Sequence, residues 1–311
     1  MLFITEADVR RLLDLDRLIE RLEHAFVELS AGRASVPPRI AAHSGGGLLG
    51  TMPGYLDGIL EAKLVSVFPG NHERGLPSHQ ALIALFDSAT GSPLAILDGT
   101  HITAIRTGAA SAVSARRLAR PDARVLAVLG AGVQGRSHVR ALARVRDFSE
   151  VRLASRNADH ARALAKELGA TAMPTLEAAA RGADIVCFCT DATSPVSDRD
   201  WFGPGVHVTS VGSSAGGPEL DAVTIRAADV LAVEHRDAFR PYPGGAHELQ
   251  GLEPAAAVEL GEVIAGTRPG RTSATQLTVY KSMGHAVEDA VAADLVYRAA
   301  REQGAGTEVA L

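Results

Sequence analysis

The sequence predicts an α/β protein, with a doubly wound parallel sheet domain inserted in a mainly antiparallel α+β domain. Two observations carry that expectation. Residues 124–233 alternate short, nearly continuous apolar runs with helical periodicity, the rhythm of parallel strands joined by crossover helices. Residues 36–97 break instead into short apolar runs punctuated by Pro and Gly, as antiparallel strands do. The length, 311 residues, suits two modest cores better than one. The expected division gives residues 1–120 and 286–311 to the antiparallel domain and 121–285 to the parallel one.

Thr5, followed by Glu6 and Asp8, has the chemistry of a helix N-terminus, with acids well placed for the dipole. Leu12, Leu15, Leu18, Ile19, Leu22, Ala25, Phe26 and Leu29 recur at helical spacing, predicting one helix that ends near Gly32. Strands are expected at 47–52, 62–68 and 80–86 and, after a turn at 87–91, at 93–97. An alanine-rich helix covers 103–118, and Pro121-Asp122 marks a boundary. A strand at 124–129 then leads to a helix at 134–145, a strand at 151–155 and a helix at 158–168. Further strands fall at 183–189, 206–211, 229–233 and 276–280. A last helix carries Ala286, Val287, Ala290, Val291 and Leu295 at helical spacing and is placed to pack back onto the first domain.

Composition narrows the partners. Aromatics make up 4% of the chain, against a surface that stacks bases, and the formal net charge of -5 leaves no footprint for nucleic acid or an anionic membrane. No apolar run approaches a membrane span, and the acids from Glu6 onward argue against a signal peptide. Cys187 and Cys189 stand two apart in one apolar run, badly placed for a mutual disulfide and too few for a metal site. They read as small hydrophobes in a buried strand of a cytoplasmic protein.

The segment Gly130-Ala131-Gly132-Val133-Gln134-Gly135 follows a hydrophobic strand directly and opens a helix, the context that gives this pattern meaning. Gly130 permits the tight turn, Gly132 lets the backbone approach a pyrophosphate, and Gly135 allows close helix–strand packing. The free N–H groups of Val133, Gln134 and Gly135 would hold the phosphates of a dinucleotide. This is a Rossmann-type arrangement. NAD-preferring sites place an acid at the tip of the next strand; here that tip reads Ala154-Ser155-Arg156-Asn157. A hydroxyl and a guanidinium suit a 2′-phosphate, so NADP (as NADPH) is expected over NAD.

Several separated segments then resemble, in the right order, the ornithine cyclodeaminase/mu-crystallin family. They are Pro38-Arg39, Met52-Pro53, Lys63, Phe68-Pro69-Gly70-Asn71, Gly75-Leu76-Pro77, Thr103-Ala104-Ile105-Arg106-Thr107, the glycine segment, and Lys281-Ser282-Met283-Gly284-His285-Ala286-Val287-Glu288-Asp289. The resemblance covers most of the chain. It implies a homodimer built through the antiparallel domain and a small amino-acid, imine or 2-oxo-acid substrate. Arg39 and Arg106 match positions that hold a substrate carboxylate, and Lys63 matches an active-site lysine that binds the carboxylate or transfers a proton. In its apolar strand Lys63 is expected to be desolvated, with a lowered pKa. Thr107 matches a cofactor-contacting position beside Arg106, which is expected to touch the cofactor too; Ser78 falls where the family often has a threonine near the nicotinamide or phosphates, and Thr190, at the end of its strand, is placed to touch the cofactor. Ser282, Met283 and Gly284 match a segment that closes over the nicotinamide and substrate, and Met52 is expected to line the pocket.

One departure matters. Cyclodeaminases and related alanine dehydrogenases resemble one another in an Asp in the loop after the fifth strand of the inserted domain. Here the loop reads Gly212-Ser213-Ser214-Ala215-Gly216-Gly217-Pro218-Glu219, with serine wherever the acid could align. A hydroxyl is no substitute for a carboxylate base at neutral pH. Ring closure of a diamino acid needs that base, whereas reduction of a preformed C=N bond needs a hydride and a proton donor. The expectation is therefore an NAD(P)H-dependent oxidoreductase acting on a C=N or CH–NH bond next to a carboxylate. The alternatives are an ornithine or lysine cyclodeaminase, with Glu219 or Glu234 in place of the missing acid, and a crystallin-like NADPH-dependent ligand-binding protein.

Overall fold

In a computed structural model, which describes residues 1–212, 217–241 and 244–310, the chain opens with a short strand, β1 (Leu2–Ile4). Thr5 then caps α1 (Glu6–Leu12), accepting from the Asp8 N–H while the Asp8 carboxylate answers from the first turn. The single helix expected up to Gly32 is two helices. Asp14 stands in extended conformation between α1 and α2 (Leu15–Ser30), and its carboxylate accepts from the N–H groups of Asp16 and Arg17 at 2.9 and 3.0 Å. Its short acceptor offered those N–H groups a partner outside the helical ladder, so the periodicity ran on while the helix broke.

Strands β2 (Ile40–Ser44), β3 (Gly47–Leu56), β4 (Ile59–Val67), β5 (His79–Asp87) and β6 (Pro93–Asp98) follow. The antiparallel register of β3, β4 and β5 sets Met52 opposite Lys63 and Lys63 opposite Ile83. Helix α3 (Gly99–Leu118) starts four residues before its expected first residue, because the Asp98 carboxylate accepts from the N–H groups of Thr100 and His101. Among the described residues the sheet has the order β15-β1-β6-β5-β4-β3-β2, where β15 is Thr307–Glu308. Its pairs are antiparallel except β1 with β6. The sequence reading did not include β1, β2 or β15. They have three, five and two residues, too few to show a period, and β2 is exposed along most of its length. Helix α9 (Ala286–Gln303) packs on β3, β4, β5 and α2.

The parallel sheet is built from β7 (Val125–Leu129), β8 (Glu150–Ala154), β9 (Thr171–Ala172), β10 (Ile185–Phe188), β11 (His207–Ser210), β12 (Val230–Val233), β13 (Ala257–Glu259) and β14 (Thr278–Lys281). Helices α4 (Val133–Leu142), α5 (Ala158–Leu168), α6 (Leu176–Ala180), α7 (Ala222–Arg226) and α8 (Leu260–Ile264) connect them. The order is β13-β12-β14-β11-β10-β7-β8-β9, so the last strand in sequence enters between β11 and β12. Alternate residues feed two cores. Leu126, Val128, Leu153 and Ile185 pack on one face, and Ala127, Leu129, Val186 and Phe188 on the other. Both faces are covered, which is why these strands read as continuous apolar runs. Cys187 belongs to this core, and burial pushes its thiol up to about 12.

By contacts the chain divides into two compact units, Met1–Arg106 with His285–Leu311, and Thr107–Gly284. The sequence reading divides it at 120/121 and 285/286; the first division of the units falls inside α3. Among the described residues, no helix is long and apolar enough to cross a membrane.

Candidate active site

In the first unit, the buried face of the antiparallel sheet carries charge where it would ordinarily carry hydrocarbon. The two-residue period of β4 puts Ile59, Glu61 and Lys63 on that face. The Lys63 side chain is 2% exposed; its Nζ donates to Asp289 Oδ2 at 2.8 Å and to Thr103 Oγ1 at 3.2 Å. Arg106 shares the same carboxylate, Nε donating to Oδ1 at 3.1 Å, and its Nη1 donates to Glu288 Oε2 at 3.1 Å. Glu288 and Asp289 stand in the first turn of α9, where the helix dipole favours acids. Thr103 and Arg106, three apart on α3, share one helical face. Burial pushes the pKa of Lys63 below the ordinary lysine value, while Asp289 opposes the shift. Burial also works against the charge of Asp289, but Arg106 and Lys63 outweigh it and hold that carboxyl below its ordinary range. The result is an ammonium kept charged by its partner that releases a proton more readily than a surface lysine.

In the second unit, Gly130 has φ 122°, and a Cβ there would come within 2.3 Å of the Cys189 carbonyl oxygen. A Cβ on Gly135 would lie 2.0 Å from the Gly130 carbonyl oxygen. Gly132 faces open space and caps α4 without any side-chain bond, leaving the first-turn N–H groups without intrahelical acceptors. Gln134 Oε1 beside them is buried and has no partner among the described residues. An uncapped helix start behind a glycine cradle fits a pyrophosphate. The cradle lies at the end of β7, where the chain leaves for β8 on one side and β10 on the other, the switch point at which open α/β sheets bind ligands.

A model of the ornithine cyclodeaminase/mu-crystallin family matches residues 1–304. The chain belongs to that family. It is 40% identical over 294 residues to mouse ketimine reductase mu-crystallin, covering 90% of this chain and 91% of the relative. The structure of Thermococcus litoralis Δ1-pyrroline-2-carboxylate reductase, in complex with NADH and L-proline, superposes with TM-score 0.92 at 35% identity, covering 99% of this chain and 100% of that one. An archaeal alanine dehydrogenase dimer with bound NAD gives TM-score 0.92 at 30% identity, over 100% and 99% of the two chains.

Of the family-type residues expected from the sequence, Lys63 and Arg106 are joined through Asp289, and Met52 is buried beside Lys63 on β3. Arg39 is half-buried next to the start of β2, and Ser78 is half-buried, its carbonyl accepting from the Phe68 N–H at 2.8 Å. Thr107 is buried on α3. At the tip of β8, Ser155 is half-buried and the Arg156 side chain is 90% exposed, with Nη2 3.9 Å from Asp191 Oδ1. Asn157 caps α5, its Oδ1 accepting from Asp159 and His160. Ser213 and Ser214 lie outside the described residues.

The two carboxylates that the sequence offered in place of the missing acid are already engaged. Glu219 Oε1 accepts from the N–H and hydroxyl of Thr190, and Oε2 from the Ser210 hydroxyl and the Gly212 N–H. Glu234 Oε1 accepts from the Ser282 hydroxyl at 2.5 Å and from the N–H groups of Met283 and Gly284. Both clamp loops, their oxygens taken up by donors of the fold.

Sequence reasoning missed Asp289 and Glu288 as members of the site, although it quoted both. Acids in a first helical turn read as dipole partners; nothing local shows that this turn faces Lys63. The cluster predicts a large cost for removing its shared anion. Asp289→Asn should lower unfolding free energy at neutral pH by about 3–5 kcal/mol, since two buried cations lose a partner. Because the folded-state pKa of Asp289 is depressed, its stabilisation is present above the ordinary value of 3.8 and lost as the pH falls through the folded value. Urea titrations of the two proteins should therefore converge in acid; a gap near zero at neutral pH would contradict the assignment.

Proposed function

We propose that the protein reduces a C=N bond next to a carboxylate, as in a cyclic ketimine carboxylate, and works reversibly as an amino-acid dehydrogenase. It is a nicotinamide-dependent oxidoreductase of CH–NH bonds. The observation that carries the reading is the buried Lys63 ammonium beside Arg106, a proton donor next to a carboxylate grip. The names of the mouse and Thermococcus relatives support the same substrate class.

Gly130, Gly132, Val133, Gln134 and Gly135 would hold the pyrophosphate, with Ser155 and Arg156 at the adenosine ribose and Thr190, Ser282 and Met283 toward the nicotinamide. The bound nicotinamide supplies the hydride. Arg106 and Arg39 fix the substrate carboxylate bidentately. Lys63 delivers its proton to the nitrogen as the carbon is reduced, and Asp289 aims the ammonium. Met52 and Gly284 complete the pocket. Cyclodeamination would need a further base, and Glu219 and Glu234 are both committed to backbone donors.

The reading extends to cofactor choice, assembly and setting. Arg156 is exposed and, among the described residues, its ion-pair partner is the likewise exposed Asp191 at 3.9 Å, so it can turn to a 2′-phosphate; NADPH is preferred over NADH. Across β2 to β5 the outer face of the sheet carries Ile40, Leu49, Leu64 and Leu82, 68, 52, 45 and 50% exposed. Exposed apolar side chains gathered on one face suit a symmetric homodimer. The free thiols Cys187 and Cys189 accord with a reducing cytoplasm.

The deciding assay follows NADPH consumption with pyrroline-2-carboxylate, beside proline and ammonia formation from ornithine. Reduction should be robust and ornithine turnover near background. Lys63→Ala should cut kcat by about 10²–10⁴-fold. Proline formed from ornithine without net NADPH oxidation would refute the reductase reading. Arg156→Ala should weaken NADPH binding by about 1–3 kcal/mol and leave NADH nearly unchanged; equal losses for both would remove the cofactor assignment. Leu64→Glu with Leu82→Glu should turn a dimer into a monomer by light scattering, and a wild-type monomer would end that part.

A further inference from the structure

Two glycines of β3 face the same way as Lys63, and packing explains only one of them. Alternate residues of a strand point to one face, and the register pairs Gly54 with Glu61, Met52 with Lys63, Gly50 with Val65 and Leu48 with Val67. At Gly54 a Cβ would come within 3.1 Å of the Ala286 Cβ and 3.2 Å of Glu61 Oε1, so the approach of α9 calls for glycine. Gly50 is buried too, yet a Cβ there would meet nothing closer than Val65 Cγ1 at 3.5 Å. The carbonyl oxygens of Ile40 and Val65 follow at 3.7 Å. These are ordinary contacts, made to β2 and β4 and not to a helix. Nor does Gly50 have the positive φ that would demand glycine. A glycine inside a strand weakens it, and often marks where a ligand comes close.

The surroundings say what kind of group would come close. Gly50 lies two residues before Met52, about 7 Å along the strand from the Met52–Lys63 pair. Its neighbours on this face are the hydrocarbon side chains of Leu48, Met52, Val65 and Val67, of which only Met52 is fully buried. On β5, Ala81 stands opposite Val65, and the start of α3 closes over it, since a Cβ on Gly99 would lie 2.9 Å from the Ala81 Cβ. From the Lys63 pair to the end of the face, where His79 stands opposite Val67, β2 to β5 place no Asp or Glu on this side. A cationic side chain would lose hydration there without a counter-ion. A hydrocarbon would leave water for the company of Leu48, Met52 and Val65.

We propose that Gly50 is a specificity-determining residue, whose missing side chain leaves room beside Lys63 for an uncharged hydrocarbon chain or ring of the substrate. This rests on the reading of Lys63 as proton donor and Arg106 as carboxylate grip. With the C=N bond at Lys63, the remaining substituent of the reacting carbon has two directions along the strands. Toward Gly54 the way is filled by Glu61 and Ala286. Toward Gly50 it is lined by hydrocarbon and has space for a further carbon. The substrates are 2-imino acids with apolar side chains, cyclic ketimines included, and not those that carry a second charge.

Charge and size are tested separately. With imines formed in solution from methylamine and a 2-oxo acid, wild-type kcat/KM should rise from pyruvate to 2-oxo-4-methylpentanoate and fall for 2-oxoglutarate, by about tenfold or more at each step. A preference for 2-oxoglutarate would overturn the proposal. Gly50→Val should raise KM for pyrroline-2-carboxylate by about 10–100-fold, raise that for the pyruvate imine far less, and leave the Kd for NADPH unaltered; Gly50→Ala should fall between. A wild-type KM in Gly50→Val, or an equal loss of NADPH binding, would overturn the assignment while the reductase reading stood. Because a Cβ has room and a β-branched residue suits a strand, the Tm of both variants should match or exceed that of the wild type. A fall of several degrees in Gly50→Ala would assign the glycine to packing and overturn the proposal. Calorimetric binding of pyrrole-2-carboxylate, an unreactive analogue, should weaken in Gly50→Val by the same factor as KM. That weakening in a protein that reduces no imine would support the role of Gly50 and refute the reductase reading alone.

Discussion

Four charges sit in the core of the first unit, and the fold there depends on their mutual satisfaction. Lys63, Arg106, Glu288 and Asp289 are all nearly or fully buried, and each has an opposite charge within hydrogen-bonding distance. Desolvation of such groups is offset only when geometry and partners are good, and removing one strands the others. The Lys63–Asp289 bond joins residues 226 apart in sequence. The strand that bears the lysine thus gains its counter-ion only when the last helix has returned to the sheet. Charge is not the cheapest way to hold a helix on a sheet; hydrocarbon does that elsewhere on α9. Charges retained at such a cost make sense where an ammonium and a guanidinium have chemistry to perform.

The acids of this protein divide by how they are held, and that division separates structure from chemistry. Glu219 and Glu234 accept several donors each; the first fastens the segments that follow β10 and β11, the second the segment that follows β14. Asp289 accepts from two cations and orients them. Glu61 accepts from nothing described. Oxygens already taken up by several donors have little left to offer a substrate, whereas burial without donors pushes the pKa of Glu61 well above the carboxylate range. A residue type alone does not distinguish these states; its donors do.

The parallel sheet shows how backbone can make a site without side chains. At the end of β7 the glycine positions are required because the Gly130 and Gly135 neighbours leave no room for a Cβ, while Gly132 leaves the helix start bare toward open space. The binding capacity comes from N–H groups that α4 cannot satisfy itself. This is the part of the molecule where local sequence and function coincide most directly.

That coincidence explains what could be read from the chain alone. The alternation in the second half and the glycine segment behind its strand were legible, because each is written in contiguous residues with a period or a motif, and the family resemblance pointed to Lys63 and Arg106, which the structure joins through Asp289. The break at Asp14 was not legible, since a single side-chain acceptor overrode a periodicity that continued across it. Short edge strands such as β2 carry no pattern to read. The partners of Lys63 were not legible either. Which face of β4 meets the first turn of α9, and hence that Asp289 charges the lysine while Glu61 is left without a donor, is settled by packing between segments more than two hundred residues apart. The sequence by itself determined the fold class and the glycine segment between strand and helix, and it picked out Lys63 as the candidate cation. Tertiary structure decided which acids are free to act and which are bound, because a carboxyl group's charge depends on the donors and the solvent that the fold brings to it.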